Sequence, residues 1–296
     1  MLNLALSSVG FGLVTASVIA LAAVGFTIQF GITNILNLAY GNTMMVCGFV
    51  AYVVNMLGLN IWLSMLCAAV FGAVVSVALN RLIFTPLIRR GTRLIGLVVV
   101  TLAIGVIMQN IVLAVGGPQF FSYRMSVGRT MSFGQIQLTV SQLDIIGVAV
   151  VVMVVLHLLL ARSSLGRAMR ATAENTDLAR ACGIRTRRVT DLVWAISGLL
   201  CGMAGVALFM NTSAFQAASV DEFSVIVIAA AMLGGVGEAY GAMLGALVIG
   251  IGTELFAGLV SPSYKNALAF GVLVVVLMVR PRGILAEVAG QREVAT

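Results

Sequence analysis

The single lysine of this chain, Lys265, lies in Ser-Tyr-Lys-Asn. A nucleotide-hydrolysing loop needs a glycine-rich turn ending in Gly-Lys-Ser or Gly-Lys-Thr, so this chain carries no ATP motor of its own. The only histidine, His157, closes a Val/Leu run near Arg162 with no nucleophile motif beside it. That setting suits packing or hydrogen bonding at a membrane interface, not catalysis. Asp144 and Asp191 both fall at ends of apolar runs, which argues against an intramembrane aspartyl pair. Cys47, Cys67, Cys182 and Cys201 lack metal-ligand spacing, and no metal, cofactor or redox role is assigned to them. Glu254 lies toward the outer end of the apolar run 242–260. It is a candidate for a proton or sodium pathway, with a hydrogen-bonded structural carboxylate as the alternative.

Two polar, glycine-broken interruptions carry more information. One is Gly31-Ile-Thr-Asn-Ile-Leu-Asn-Leu-Ala-Tyr-Gly41, followed by Asn42 and Thr43; the other is Leu233-Gly-Gly-Val-Gly-Glu-Ala-Tyr-Gly241. Irregular backbone at membrane depth persists only where protein or a water-filled cavity satisfies its polar groups, and paired interruptions point to a solute pathway. The side chains expected nearest a solute are Asn34, Asn37, Tyr40 and Asn42. Gly41, Gly234, Gly235 and Gly237 are expected to permit close backbone approach or bends. The alternative is a pair of cytoplasmic turns.

A third polar stretch runs from Ser163 to Thr190. Ser164 can cap a helix there and Gly183 can end it, which predicts one helix over 164–183. Arg167, Arg170, Glu174 and Asp177 share one stripe; Leu165, Ala168, Met169, Thr172, Ala179 and Cys182 share another. The pairs Arg170–Glu174 and Asp177–Arg180 would each add only about 0.2–0.5 kcal/mol. An amphipathic helix of this kind needs a surface: this chain, the bilayer or a partner.

The elements that position these groups follow from composition. Of 296 residues, 61% are hydrophobic and 9% charged, so much of the exterior must meet lipid. No Lys, Arg, Asp or Glu occurs from Met1 to Asn80, so the first apolar stretch lacks a basic leader and reads as a permanent span. The net charge of +7 comes from short arginine clusters between apolar runs, which fits membrane topology and not nucleic-acid binding. Apolar runs cover roughly 7–29, 34–57, 61–80, 94–116, 141–161, 190–211, 223–237, 242–260 and 266–280. A span needs about 20 residues. The expected fold is therefore all-α: one domain over 1–296, a polytopic membrane helix bundle of eight or nine spans with glycine-broken helices. The clusters at Arg81–Arg93, Arg162–Arg188 and Arg280–Arg292 are expected on the cytoplasmic side, with Arg124, Arg129 and Lys265 outside. Nine spans, which place Met1 outside, are preferred. Gly198–Gly202 and Gly241–Gly245 have GxxxG spacing, read as packing within one bundle.

The stretch Gly166-Arg-Ala-Met-Arg-Ala-Thr-Ala-Glu-Asn-Thr-Asp-Leu-Ala-Arg-Ala-Cys-Gly-Ile184 resembles the cytoplasmic loop of permease subunits from branched-chain amino-acid (LIV-type) ABC importers. The resemblance continues through Gly31–Gly41, Thr101-Leu-Ala-Ile-Gly105 with Gln109-Asn110, Leu233–Gly237 with Gly241–Gly245, and Val279-Arg-Pro-Arg-Gly-Ile-Leu285, in the family's order. It implies a second homologous permease subunit, two cytoplasmic ATPases that hold ATP and Mg, and an extracytoplasmic solute-binding protein. The surrounding membrane implied is the bacterial inner membrane, with the C-terminus cytoplasmic. It also implies that Arg170, Glu174, Asp177, Ala179 and Gly183 lie in the segment that couples to the ATPase. The chain departs from the family at Tyr40 and Asn42, so the cargo implied is a branched-chain amino acid or a related small solute. An ion-coupled carrier or a channel is the rival reading.

Overall fold

The computed structural model describes residues 2–125, 130–133, 136–216, 220–259, 261 and 264–279. Every apolar run read from the sequence contains a helix. The long helices are α1 (Leu2–Thr33), α3 (Ile61–Leu79), α5 (Leu94–Gly116), α6 (Val140–Arg162), α9 (Thr186–Thr212) and α11 (Ala239–Leu259). Shorter apolar helices are α2 (Tyr40–Met56), α10 (Asp221–Gly234) and α12 (Lys265–Val279). A π-helical turn, Asn80–Phe84, joins α3 to the short α4 (Thr85–Arg89). Among the described residues, six helices are long and apolar enough to cross a membrane: Ser7–Thr33, Ile61–Arg89, Leu94–Gly116, Val140–Arg162, Thr186–Thr212 and Ala239–Leu259.

The bundle is all-α, with one addition. β1 (Thr130–Phe133) and β2 (Ile136–Thr139) form an antiparallel hairpin with Thr130 opposite Thr139 and Phe133 opposite Ile136. The hairpin leads straight into α6, whose start is a capping box. The Thr139 hydroxyl accepts from the Gln142 N–H, and the Gln142 side chain accepts from the Thr139 N–H.

α1 and α9 are enclosed by protein, while α5 and α6 present most of their surface outward, as lipid-facing helices must. α1 and α11 run antiparallel along their whole length. Thr15 meets Glu254, Gly12 meets Ile251, and Gly31 lies against Gly237. α9 crosses α3 where Gly198 and Gly202 face Gly72 and Ala68. α11 crosses α10 where Gly241 and Gly245 face Gly234 and Ala230. Both GxxxG pairs therefore pack inside this bundle, backbone to backbone.

Charge divides the two ends. Arg89, Arg180 and Arg187 line one cavity at the end where α1 stops. At the opposite end Lys265 pairs with Glu254, which also accepts from the Thr15 hydroxyl at 2.7 Å. There Phe121 and Phe215 form an antiparallel bridge, and the Arg124 N–H donates to the Asn55 side chain at 2.7 Å. Arg129 and the tail arginines Arg280, Arg282 and Arg292 lie outside the described residues.

A single helix over 164–183 does not form. The segment is α7 (Ser164–Glu174) and α8 (Thr176–Ala181), broken at Asn175. Asn175 is extended (φ −150°, ψ 104°), and its Oδ1 accepts from the N–H groups of Asp177 and Leu178 at 3.1 and 2.9 Å. A short polar side chain that caps the next helix in this way competes with helix continuation. The first cap is Ser163, whose hydroxyl accepts from the Gly166 N–H, and not Ser164. Gly183 does end the segment. At φ +85° it adopts the left-handed turn, with Gly183 N–H to Arg180 O and Ile184 N–H to Ala179 O.

Candidate functional site

α1 stops because Asn34 turns left-handed at φ +51°, a conformation that asparagine tolerates better than most residues. The chain then runs without helix from Asn34 to Asn37 before α2 begins at Tyr40. Thr101 of α5 secures this irregular segment. Its hydroxyl accepts from the Leu38 N–H at 3.3 Å and points toward the carbonyls of Leu36 and Val98. The first interruption is thus non-helical backbone built into the protein interior.

Around it lies a buried polar group. Asn37 is 4% exposed, and its Oδ1 has no protein hydrogen-bond partner. The Oδ1 of Asn42 and the Nε2 of Gln29 are likewise buried without one. Gln29 does accept from the Ser197 hydroxyl at 2.9 Å. Asn42 packs over Gly105 of α5, and Gly41 packs on Ser224 near the start of α10. Acceptors and a donor held unpaired in a bundle interior are groups that a polar ligand or water can satisfy. Tyr40 stands behind this set, buried among α1, α2 and α9. Its hydroxyl donates to the Ser197 carbonyl, and its ring meets Phe26 edge-on with centroids 5.7 Å apart.

The second interruption is a tight turn between α10 and α11 at the arginine-rich end. Gly235 and Gly237 adopt φ +110° and +97°, which their lack of a Cβ permits. Gly234 serves the helix crossing, since a Cβ there would fall on the Gly241 backbone. The two interruptions meet: a Cβ on Gly31 would lie 3.0 Å from the Gly237 Cα.

The two residue sets expected from sequence also converge. A cavity of about 450 Å³ is lined by Asn34 and Gly237 from one set and by Arg170 and Glu174 from the other, together with Glu238 and Tyr240. The expected Arg170–Glu174 pair is absent. Arg170 instead reaches back to the Leu160 carbonyl at 2.7 Å, closing the α6–α7 corner. An arginine preceding a glutamate by four residues is the weaker orientation of such a pair. Asp177 and Arg180 do pair, at 3.4 Å and fully in the open.

Ala179 corrects an expectation. At 5% exposure it is buried within this chain, as are Met169 and Thr172, so the apolar stripe of α7 and α8 faces its own bundle. The large apolar side chain that α8 presents outward is Leu178, at 62% exposure.

Sequence reasoning missed several positioning residues. Asp191 accepts from Asn80 at 2.8 Å and from Arg81 Nε and Nη2 at 2.9 and 2.8 Å, tying the π-helical turn to α9. Gln29 was legible as a lone amide closing an uncharged apolar run, and Leu178 as the one large apolar residue off the buried stripe. Thr101 gave no signal of its own. His157 lies 2.8 Å from the Tyr240 hydroxyl on the exposed surface, a hydrogen bond joining α6 to α11.

Comparison with known proteins supplies the rest. Residues 8–277 match the family model described as branched-chain amino acid transport system / permease component. The chain is 32% identical over 290 residues to the high-affinity branched-chain amino acid transport system permease protein BraD of Pseudomonas aeruginosa, covering 93% of this chain and 94% of that one. It is 30% identical over 291 residues to LivH of Escherichia coli, with the same coverage. It is 27% identical over 293 residues to the probable LivH of Methanocaldococcus jannaschii, covering 92% and 90%. No solved structure matches.

Proposed function

The chain belongs to the family of branched-chain amino acid transport permease components, and from that premise we propose how this permease subunit of an ATP-binding-cassette importer works. The observation that carries the reading is the full-length likeness to named amino-acid permeases, on a multi-pass helical protein without a phosphate loop. The importer comprises this chain, a second homologous permease, two cytoplasmic ATPases that hold ATP and Mg, and an external solute-binding protein. The cargo is a branched-chain amino acid or a related small amphipathic solute.

All nine apolar helices count as membrane elements in this reading, with α2 and α10 as partial ones flanked by irregular backbone. The arginine-rich end faces the cytoplasm, because basic residues favour that side, so α1 starts outside and the C-terminus lies inside. The solute passes Asn42 and Asn37, whose unpaired side-chain oxygens can receive its polar groups, and leaves beside Asn34. Gly41, Gly234, Gly235 and Gly237 allow the close packing and turns around that route, and Tyr40 fixes the start of α2. The segment bearing Arg170, Glu174, Asp177 and Gly183 meets the ATPase, with Leu178 as its outward contact and Ala179 as its inward anchor.

The rival, ion-coupled reading needs a carboxylate free to load a cation. Glu254 is already engaged by Lys265 and Thr15, which favours a structural role for it. Proteoliposome transport with and without ATPases and ATP tests the proposal. Uptake only with both supports it; uptake driven by a proton or sodium gradient alone refutes it.

A further inference from the structure

The cavity between α7, the end of α1 and the α10–α11 turn has a chemistry of its own. One wall is apolar, with Phe30, Met169 and Val236. Arg170 faces it with a guanidinium anchored at one nitrogen by the Leu160 carbonyl, and its other N–H groups have no protein partner among the described residues. Glu174 and Glu238 face the same space, and neither carboxylate forms an ion pair there. Charges of both signs thus border one space of about 450 Å³ without neutralising each other, beside an apolar surface. All three charged residues are exposed to solvent, so a ligand gains from them chiefly by engaging both signs at once beside the apolar wall.

Resting on the importer reading for its orientation and its ATPase, we propose that this cavity is a cytoplasm-facing regulatory site for a small amphipathic zwitterion, such as an α-amino acid with an apolar side chain. Arg170 receives the carboxylate, for which its forked donors are suited. Glu174 and Glu238 receive the ammonium group, and the Phe30–Met169 wall receives the side chain. Because Arg170 and Glu174 belong to α7 while Phe30 and Glu238 belong to α1 and the α10–α11 turn, a bound zwitterion ties these elements in the present arrangement. A ligand shifts a conformational equilibrium by its differential affinity for the two states. Occupancy therefore resists movement of α7 and slows ATP hydrolysis as the solute accumulates inside.

The test uses the whole permease–ATPase complex in proteoliposomes, where only complexes with ATPases facing the bulk hydrolyse added ATP. Probes added to the bulk then reach the cytoplasmic face. L-leucine is expected to inhibit hydrolysis, whereas 4-methylpentanoate and isoamylamine, each carrying one of its two charges, do not. Arg170→Ala and Glu174→Gln should each raise the half-inhibiting L-leucine concentration about tenfold or more, as loss of one charge-assisted contact implies. Glu174 makes no described contact that folding requires, so its variant remains informative if Arg170→Ala disturbs the α6–α7 corner. Hydrolysis indifferent to L-leucine, equal inhibition by the one-charge analogues, or unchanged inhibition in Glu174→Gln overturns the site. If no ATP-coupled complex forms, the importer reading fails separately. Radiolabelled L-leucine binding to the full chain in nanodiscs then decides: loss in Glu174→Gln supports the site, and equal binding overturns it.

Discussion

The Tyr40 hydroxyl donates to the Ser197 carbonyl across 3.3 Å, joining the first residue of α2 to the middle of α9. Tyr40→Phe loses that bond at a cost of about 0.5–1.5 kcal/mol, and Tyr40→Ala should cost about 3–5 kcal/mol by leaving a cavity. Tyr40→His is expected to lower thermal stability and to reduce uptake of different solutes alike. Melting in detergent alongside transport across several amino acids checks this. A changed solute preference at unchanged stability would place Tyr40 in contact with the cargo.

Asp191→Ala should destabilise through Asn80 more than through Arg81. Asn80 is buried and would lose its acceptor, at a cost of about 1–3 kcal/mol. Arg81, with a side chain 58% exposed, can turn to water, so Arg81→Ala should cost less than Asp191→Ala. Thermal unfolding of the two variants gives the ranking.

Leu178→Asp should leave insertion and stability intact while weakening ATPase association and solute-stimulated hydrolysis. Ala179→Asp should instead disrupt the permease itself, since a carboxylate would replace a methyl buried against the bundle. Gly183→Val forces a branched side chain into a left-handed turn, with a strain of about 1–2 kcal/mol. Pull-down, hydrolysis and melting measured together separate these effects. Leu178→Asp complexes that assemble and hydrolyse like the parent would move the contact elsewhere.

Cys182 is exposed at the arginine-rich end, Cys47 and Cys201 are buried, and Cys67, exposed on α3, is replaced by serine for the test. A membrane-impermeant maleimide should therefore label Cys182 in inverted vesicles and not in intact cells. Labelling from outside would reverse the orientation of the whole bundle.

How far the sequence could be read depended on which force set each feature. Helix positions were legible because lipid demands long apolar runs, and the GxxxG pairs because close helix crossings demand small residues. The convergence of Asn34 with Arg170 was not legible, because it depends on how α1 packs against α7 and no local pattern records that. The break at Asn175 was missed because its side chain offered the backbone a cap where helix periodicity continued unbroken on both sides. The burial of Ala179 was hidden for a related reason: an amphipathic stripe states that a face needs cover, not whether its own chain provides it.

The antiparallel seam between α1 and α11 has a consequence for biogenesis. Thr15 and Glu254 are separated by 239 residues, so the earliest of these helices to leave the ribosome is enclosed by one of the latest. At about 5–20 residues per second, the interval is roughly 10–50 s. Throughout it the face of α1 that bears Gly12 and Ala16 is without α11, its permanent neighbour, in lipid or in the insertion machinery. The nascent permease is most vulnerable to membrane proteases in that interval, and slowing synthesis between α9 and α11 prolongs it.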